Sequence, residues 1–291
     1  SKAFDCIPHD LLLAKLEAYG LGLDALAYIY SYLKGRKQSV KISNFMSAFL
    51  EIISGVPQGS ILGAILFNIF LNDLFLFIRN ANLHNYADDN SLEAQAEGVD
   101  ELVEILQNEA DTAVDWLEVN SMIPNPKKFQ AILSYKNKTV ETTNIPIHIK
   151  DQIIYSSKSV VFLGITLDGE LKFDQHISCL CKKAAFQLNA LYRIKKYLTL
   201  EMKTLLVNSF IYSNFNYCPH VWHISSAKSI RMIEKIQERL LRFQFDNFEL
   251  TYEELLRKGS KCTMLIGRLR AICIEIYKTL HSENPSYMKD I

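Results

Sequence analysis

The hydrophobic pattern of this chain changes once, between Leu171 and Asp174, and this change limits the folds open to its 291 residues. Upstream of it, short alternating or apolar runs between glycines and prolines indicate strands, mixed with amphipathic helices. Downstream of it, the spacing of apolar residues is helical. The candidate helices there are 176–197, 201–215, 229–245, 252–256 and 265–280. The pattern predicts an α+β fold over residues 1–172 and an all-α region over residues 173–291.

Within the first part, local signals give the following elements. Asp10 is a candidate N-cap for a helix from Leu11 to Tyr19 that ends at Gly20, and helical spacing recurs at 23–33 and 99–117. The predicted strands are 38–42 paired with 48–53, 83–86 paired with 91–94, and then 129–135, 145–149, 153–155 and 160–167.

The stretch from Ile61 to Ile78 is apolar over about the length of a membrane span. Asn68, Asn72 and Asp73 fall inside it, and three polar side chains are costly within a bilayer. We therefore predict a buried helix with Ser60 as its N-cap, and we expect no membrane partner.

Overall charge, apolar content and cysteine content limit how this chain could bind nucleic acid and which class of protein it is. The 32 basic and 32 acidic residues cancel, so any nucleic-acid binding requires a local basic face. An apolar content of 49% indicates a globular chain, not a disordered one. The six cysteines include no Cys-x-x-Cys pair, so we interpret them as reduced thiols of an intracellular protein, with a zinc site as the alternative.

The strongest chemical signal is Tyr86-Ala87-Asp88-Asp89, which lies between the two strands of a predicted hairpin. Adjacent carboxylates repel each other, and a tight turn that holds two of them favours a bound cation. Mg²⁺ is the natural candidate because it is hard, takes oxygen ligands and bridges to phosphates. The alternative for an isolated Asp-Asp pair is a solvated acidic turn.

Two further segments fit phosphate chemistry. The loop Gly55 to Ser60 contains two glycines, and a residue without a Cβ lets the backbone approach a nucleotide closely. Lys128, in the break formed by residues 125–128, is a candidate for stabilising phosphate charge. A site that transfers nucleotides with two divalent ions about 3.5–4 Å apart needs few other protein groups, because positioning and electrostatic stabilisation supply nearly all of the rate enhancement.

Six blocks in this order resemble the reverse transcriptases of non-long-terminal-repeat (LINE-type, jockey-like) retrotransposons. They are Ser-Lys-Ala-Phe-Asp at 1–5 with Pro-His-Asp-Leu-Leu at 8–12, Gly-Val-Pro-Gln-Gly-Ser at 55–60, Tyr-Ala-Asp-Asp at 86–89, Asn-Pro-Lys-Lys at 125–128, Phe-Leu-Gly at 162–164 and Asn-Tyr-Cys-Pro-His-Val-Trp at 216–222. The resemblance covers nearly the whole chain.

The resemblance implies a polymerase palm over residues 1–172, with an antiparallel sheet, packed helices and no fingers, and a helical thumb over residues 173–291. It implies an RNA-directed DNA polymerase that uses Mg²⁺ or Mn²⁺, dNTPs, an RNA template and a DNA primer, in the nucleus or cytoplasm as a ribonucleoprotein.

The resemblance also assigns roles to residues. Asp88 and Asp89 correspond to metal ligands. Phe4 corresponds to the bulky residue that selects dNTPs, with an ordinary core phenylalanine as the alternative. The remaining counterparts are Pro57, Gln58, Gly59 and Tyr86 at the substrate, Lys128 at the triphosphate, and Phe162, Leu163 and Gly164 in the primer grip.

Basic residues cluster in the helical part. Lys235, Arg239 and Arg242 share one helical face, which is either an ordinary solvated face or a surface for the primer–template backbone. The residues predicted to bind nucleic acid are Lys182, Lys183, Lys195, Lys196, Lys235 and Arg239.

One departure from the family pattern affects activity. In the family, the first catalytic Asp stands two residues before the Ser-Lys-Ala-Phe block, which puts its counterpart upstream of Ser1. Asp5 follows Phe4, and on a strand these neighbours point to opposite faces, so we do not expect Asp5 to replace it. We expect this chain alone to be nearly inactive. The alternatives are a non-catalytic RNA-binding relic and a protein similar to intron maturases.

Overall fold

A computed structural model describes residues 3–134 and 142–281, together with 285 and 288. The chain divides into two compact units. The first unit comprises residues 1–131 and 142–157, and the second comprises residues 132–141 and 158–291. This boundary precedes the hairpin at 159–168, whereas the sequence pattern places the change after it. The assignment of residues 1–172 and 173–291 to a palm and a thumb stays a prediction.

The described part of the first unit contains five α-helices. They are α1 Ala3–Cys6, α2 His9–Ala18, α3 Leu23–Leu33, α4 Ile61–Leu71 and α5 Val99–Val119. Their apolar faces pack in one core, whose fully buried side chains include Ile7, Leu12, Leu16, Phe67 and Phe70. The helices predicted at 23–33, in the apolar stretch after Ser60 and at 99–117 are confirmed.

The apolar stretch folds as α4 followed by a 3-10 turn over Asn72–Leu76. Ser60 caps α4 as predicted, because its Oγ accepts a 3.2 Å hydrogen bond from the Gly63 amide. Asp73 is paired with Lys15, whose Nζ lies 2.7 Å from the carboxylate. Among the described residues, no helix is both long and apolar enough to cross a membrane.

Two predictions about the start of the chain are wrong. Asp10 does not cap α2, because the helix begins at His9, Pro8 stands at the N-cap and Asp10 lies in the first turn. Residues Ala3 to Cys6 form a helical turn rather than a strand. The strand argument about the direction of the Asp5 side chain therefore does not hold.

The described strands of the first unit pair in antiparallel, two-stranded sheets. They are β1 Lys37–Gln38 with β4 Leu50–Glu51, β2 Lys41–Ile42 with β3 Phe45–Met46, β5 Asn82–Tyr86 with β6 Asp89–Glu93, and β7 Pro146–Ile149 with β8 Gln152–Tyr155. The prediction of a strand at 129–135 is wrong for residues 129–134, because in this stretch Ala131 alone pairs, in an isolated bridge. Tyr135 lies outside the described residues.

In the second unit, a hairpin at 159–168 is followed by helices. Residues 160–167 do not form one strand as predicted, because Leu163 and Gly164 have positive φ angles of 45° and 80° and turn the chain between β9 Ser159–Phe162 and β10 Ile165–Asp168. The helices are α6 Asp174–Ile194, α7 Leu200–Leu206, a π-helical segment Val207–Tyr212, α8 Ser213–Asn216, α9 Ala227–Phe245, α10 Tyr252–Lys258 and α11 Met264–Leu280.

The core of the second unit packs α6 against α9 and the π-helical segment. Its fully buried side chains include Ile177, Leu188, Ile211, Trp222 and Phe243. The structure thus has mixed helices and small antiparallel sheets, which confirms the α+β class at this level. All six cysteines lie in the described part and are free there; that they are the reduced thiols of an intracellular protein stays a prediction.

Candidate functional site

The adjacent carboxylates lie at the tip of the hairpin formed by β5 and β6. Tyr86 and Asp89 are Cα partners, so Ala87 and Asp88 form a two-residue connection. Ala87 has a φ of 52°, a conformation that is unfavourable for a residue with a Cβ. Asn85 supports the turn, because its Nδ2 donates a 2.9 Å hydrogen bond to the Ala87 carbonyl. Asp88 and Asp89 are both exposed at this tip.

The hairpin is fixed to the first unit at its base. Leu83 and Leu92 are Cα partners, and both pack against the first-unit core. Glu109 on α5 is buried, and its carboxylate accepts hydrogen bonds from the backbone amides of Arg79 at 3.2 Å and Asn80 at 2.7 Å. These contacts fix the backbone just before β5 and therefore fix the position of the hairpin.

The glycine-rich loop packs on α1 through its backbone. The amide of Gly55 donates to the Ile7 carbonyl at 2.7 Å, and the amide of Val56 donates to the Phe4 carbonyl at 2.8 Å. A Cβ on Gly55 would lie 2.6 Å from the Cα of Asp5, so this position has no room for a side chain. Gly59 is different, because a Cβ there would meet no atom within 4 Å.

Phe4 lies beside this loop and is half-buried. Its ring stacks on Phe67 with 4.0 Å between centroids and 13° between planes, which is a core packing contact. Asp5 is exposed, and its carboxylate accepts a 3.0 Å hydrogen bond from the Nε2 of Gln58. The structure therefore brings Phe4 together with the loop that carries Pro57, Gln58 and Gly59.

Lys128 and Tyr86 are exposed side chains of the first unit. Lys128 ends a 3-10 turn over Pro126–Lys128, and the side chain of Asn125 caps this turn by accepting a 3.2 Å hydrogen bond from the Lys127 amide. The contacts of Lys128 and Tyr86 with a nucleotide stay predictions.

In the second unit, the turn predicted to be a primer grip is held by Tyr217. The phenolic hydroxyl donates a 2.7 Å hydrogen bond to the carbonyl of Leu163. The turn borders a cavity of about 390 Å³ that is also lined by His176 and Lys183. Burial lowers the pKa of His176, and its Nδ1 accepts a 3.3 Å hydrogen bond from the Thr166 amide; both effects favour the neutral imidazole.

The basic residues fall into two classes. The members that are exposed are Lys182, Lys183, Lys196, Lys235 and Arg239. Lys195 instead forms an ion pair with Asp246, which also pairs with the buried Lys203 at 2.5 Å. Arg242 bonds Glu238 at 2.7 Å and is half-buried, so it does not extend the exposed face of α9.

A family profile described as reverse transcriptase (RNA-dependent DNA polymerase) matches residues 1–167. The chain belongs to the reverse transcriptase family. The matched region contains the hairpin with Asp88 and Asp89 and the loop at 55–60, and it ends within β10.

Similar proteins extend the match beyond the first unit. The probable RNA-directed DNA polymerase from transposon BS of Drosophila melanogaster is 28% identical over 257 residues, which cover 83% of this chain and 28% of that protein. The RNA-directed DNA polymerase from mobile element jockey of Drosophila funebris is 26% identical over 251 residues, which cover 83% of this chain and 27% of that protein. The chain thus spans about a quarter of these relatives, and the prediction of a LINE-type reverse transcriptase is confirmed.

The donor set of this reverse transcriptase chain fits a divalent cation only in part. Asp88 and Asp89 supply hard carboxylate oxygens, which Mg²⁺ and Mn²⁺ prefer. Within residues 3–134 and 142–281, however, no group of three or more His, Cys, Asp or Glu side chains is arranged to hold a metal. The expectation that Asp5 does not replace the upstream carboxylate stays a prediction.

Sequence reasoning missed two supporting residues. Glu109 falls on the apolar face of its helix, three residues after Leu106 and four before Ala113, and an acid at such a position signals a buried partner. Tyr217 lies in one of the family-like blocks, but no local pattern connects it with Leu163, which is 54 residues away.

Proposed function

We propose that this chain supplies the catalytic palm and the thumb of a LINE-type RNA-directed DNA polymerase, which adds dNTPs to a primer 3′-hydroxyl on an RNA template. The observation that carries the proposal is the exposed carboxylate pair at a two-residue hairpin tip in a chain of the reverse transcriptase family. The names of the transposon and jockey relatives support the same reaction and the same type of element.

In this proposal Asp88 and Asp89 hold Mg²⁺ or Mn²⁺, which when bound acidifies the primer hydroxyl and neutralises phosphate charge. Gln58 and Gly59 bind the incoming nucleotide at the open side of their loop, next to Phe4. The Phe4 ring stacks on Phe67, and the Phe4 carbonyl accepts a hydrogen bond from the Val56 amide. These contacts fix the position of a side chain that would clash with a ribose 2′-hydroxyl. Tyr86 and Pro57 complete the substrate contacts, and Lys128 positions the triphosphate.

The second unit positions the primer strand. The Phe162-Leu163-Gly164 turn presents backbone groups to the primer, and Tyr217 fixes the position of the turn. The exposed cations Lys182, Lys183, Lys196, Lys235 and Arg239 then neutralise backbone phosphates. Lys195 contributes less than predicted, because its charge is already paired with Asp246.

The number of ligands determines the activity of the chain alone. Two carboxylates do not close a two-metal site. We therefore propose that the 291 residues by themselves are nearly inactive and that a third carboxylate belongs two residues before Ser1.

Primer extension tests the proposal. Two versions are compared, the 291-residue chain and the same chain with Asp-Ile fused before Ser1. Each version, with and without Asp88→Asn, is given a primed RNA template, Mg²⁺ and dNTPs. We expect synthesis only from the fused version, with a loss of about 100-fold or more in the variant.

Three results would count against it. If the chain without the fusion gives strong synthesis and Asp88→Asn abolishes it, the proposal that a third carboxylate is needed upstream of Ser1 is contradicted. Synthesis by the fused version that survives Asp88→Asn contradicts the role of the carboxylate pair. RNA binding without synthesis in both versions favours a non-catalytic RNA-binding protein.

A further inference from the structure

A buried arginine on the last described helix has no partner for its donors. Arg268, in the second turn of α11, is 3% exposed. Its Nε, Nη1 and Nη2 atoms are buried, and within the described residues none of them has a hydrogen-bond partner. A guanidinium stays charged in proteins and carries five N–H donors, so Arg268 is a buried cation whose donors are all unused. Buried charges of this kind are ordinarily paired.

The guanidinium of Arg268 lies over the ring of Trp222. Its Cζ atom is 5.1 Å from the ring centroid, and Trp222 is fully buried. The indole nitrogen donates a 3.2 Å hydrogen bond to the Tyr217 carbonyl, which fixes the ring. An indole has a donor but no acceptor, so this contact holds the guanidinium in place without satisfying any of its N–H groups.

Glu234 on α9 is the acid whose charge acts on Arg268, but its oxygens are engaged elsewhere. Its Oε2 accepts a 2.5 Å hydrogen bond from the Tyr252 hydroxyl, and its Oε1 accepts a 2.9 Å hydrogen bond from the Leu265 amide. Burial lowers the pKa of Arg268, and the charge of Glu234 opposes this effect. Glu234 therefore offsets part of the buried charge and supplies no acceptor to the guanidinium.

Two more polar atoms without partners follow Trp222 in the chain. The Nδ1 of His223 and the Oγ of Ser225 are buried, and neither has a hydrogen-bond partner within the described part of the chain. The Ser225 amide donates to the His223 carbonyl at 2.8 Å, so both residues belong to one tight turn. Burial and, after it, the charge of Arg268 lower the pKa of His223, so the guanidinium and the imidazole lie close together. A hydroxyl and an imidazole with its proton on Nδ1 both donate hydrogen bonds.

We propose that Arg268 and His223, with Ser225 in the same turn, bind one compact inorganic anion, such as phosphate or chloride, inside the second unit. Such an anion has acceptors only, and the planar donor fork of an arginine matches it. A nucleic-acid strand does not fit, because its phosphates bind in open basic grooves and these donors are buried. The turn is accessible at Ile224, which is 82% exposed, so a local opening of a few residues admits a small ion. The bound anion fastens α11 to the segment 217–225.

Bromide tests the site directly, because this heavy anion quenches the fluorescence of an adjacent indole. Trp116 and Trp222 are 4% and 0% exposed, so bromide in bulk solvent quenches either of them weakly. In Trp116→Phe, which keeps Trp222, we expect sodium bromide to quench the emission saturably, with sodium gluconate holding the ionic strength constant. Trp222→Phe, which keeps Trp116 in the first unit, is the matched control and should show a weak, linear response. Sodium chloride and sodium phosphate should then displace bromide, and the stronger competitor identifies the class of anion.

Thermal unfolding tests the role of the guanidinium. In gluconate buffer, Arg268→Met should unfold at a temperature no lower than the wild type, because it removes a buried charge without a hydrogen-bond partner. With the preferred anion at about ten times its Kd, we expect the Tm of the wild type to rise by about 3–5 °C and that of Arg268→Met to stay constant. Arg270→Met, at an exposed position of the same helix, is the charge control and should keep both the rise in Tm and the saturable quenching.

Four results would overturn the proposal. Linear quenching of Trp222 would show that no anion binds beside it, and this test needs no change at Arg268. Saturable quenching that survives Arg268→Met would place the anion elsewhere. An equal loss of stability in Arg268→Met at every anion concentration would show that the arginine acts through packing. Displacement of bromide by a short single-stranded RNA, with no displacement by chloride or phosphate, would assign these donors to nucleic acid.

Discussion

The hydroxyl of Tyr217 donates a 2.7 Å hydrogen bond to the carbonyl of Leu163 and so connects the segment after α8 to the turn between β9 and β10. Leu163 has a φ of 45°, which is unfavourable for a leucine, and a turn of this kind needs support from its surroundings. Tyr217 provides that support at the turn that we propose holds the primer.

Tyr217→Phe is therefore expected to loosen the turn without unfolding the second unit. Loss of one hydrogen bond costs about 1 kcal/mol at most at this half-exposed site. Hydrogen–deuterium exchange should show faster exchange of the amides of Gly164 and Ile165. Tyr197→Phe, at an exposed tyrosine of the same unit, is the control and should leave this exchange unchanged. Equal exchange in Tyr217→Phe and the wild type would contradict the supporting role.

Two glycines of the 55–60 loop are expected to differ in their tolerance of alanine. At Gly55 a Cβ would lie 2.6 Å from the Cα of Asp5 with a φ of 87°, so Gly55→Ala should lower the free energy of unfolding by about 3 kcal/mol or more through clash and strain. Gly59→Ala meets open space and retains only the strain of a positive φ, about 1 kcal/mol. Chemical denaturation measures both values, and equal losses would contradict the assigned packing.

Glu109→Ala is expected to destabilise the base of the hairpin formed by β5 and β6. It removes the acceptor of the Arg79 and Asn80 amides, at a cost of about 1–3 kcal/mol. Glu104→Ala, an exposed acid on the same helix, is the control and should cost little. Thermal unfolding compares the two variants. If both lose the same stability, Glu109 does not anchor the chain before β5.

The contribution of Asp246 to stability should depend on pH. Hydrogen bonds from Lys195 and Lys203 hold the pKa of Asp246 below its ordinary value of 3.8. A folded-state pKa below the unfolded value stabilises the fold above the unfolded pKa, and this stabilisation is lost as the pH falls through the folded pKa. At pH 7, Asp246→Asn should therefore be less stable than the wild type by about 1 kcal/mol. The variant leaves the Lys203 side chain, 7% exposed, without its carboxylate, but the Asp246 side chain is 48% exposed and solvent screens the pair.

The same comparison at low pH supplies the check. The difference between Asp246→Asn and the wild type should begin to shrink as the pH falls below 3.8 and should continue to shrink as the pH falls through the lower pKa of the folded state, because the carboxylate becomes protonated. Denaturation curves between pH 7 and pH 3 measure this difference. A constant difference across that range would show that Asp246 acts through packing instead of charge.

Elements that depend on local signals could be predicted from the sequence. The helical spacing at 99–117 and 265–280 gave α5 and α11 within two residues at each end, because an apolar stripe repeats over several turns. Short or strained elements could not be predicted. Residues 3–6 span one helical turn and show no periodicity, and the turn at Leu163 requires a positive φ in a residue that rarely adopts it.

The candidate site shows the same division. The carboxylate pair and its hairpin could be predicted because turn and strand signals are adjacent in the sequence. The supports of the site could not, because Glu109 bonds residues 29 and 30 positions earlier and Tyr217 bonds a carbonyl 54 positions earlier. Ion pairs are equally non-local: the sequence pattern does not show that Lys195 shares the carboxylate of Asp246, on a later segment, with Lys203.

The most direct test of the central claim is a measurement of metal binding at the hairpin tip. Mn²⁺ is titrated into the isotopically labelled chain, and paramagnetic broadening of backbone amide signals is followed by NMR. We predict that residues 86–90 broaden at the lowest Mn²⁺ concentrations and that Asp88→Asn with Asp89→Asn abolishes this broadening while signals elsewhere respond as in the wild type. Sharp signals at residues 86–90, or broadening there that persists in the double variant, would contradict the assignment of this pair as the metal ligands.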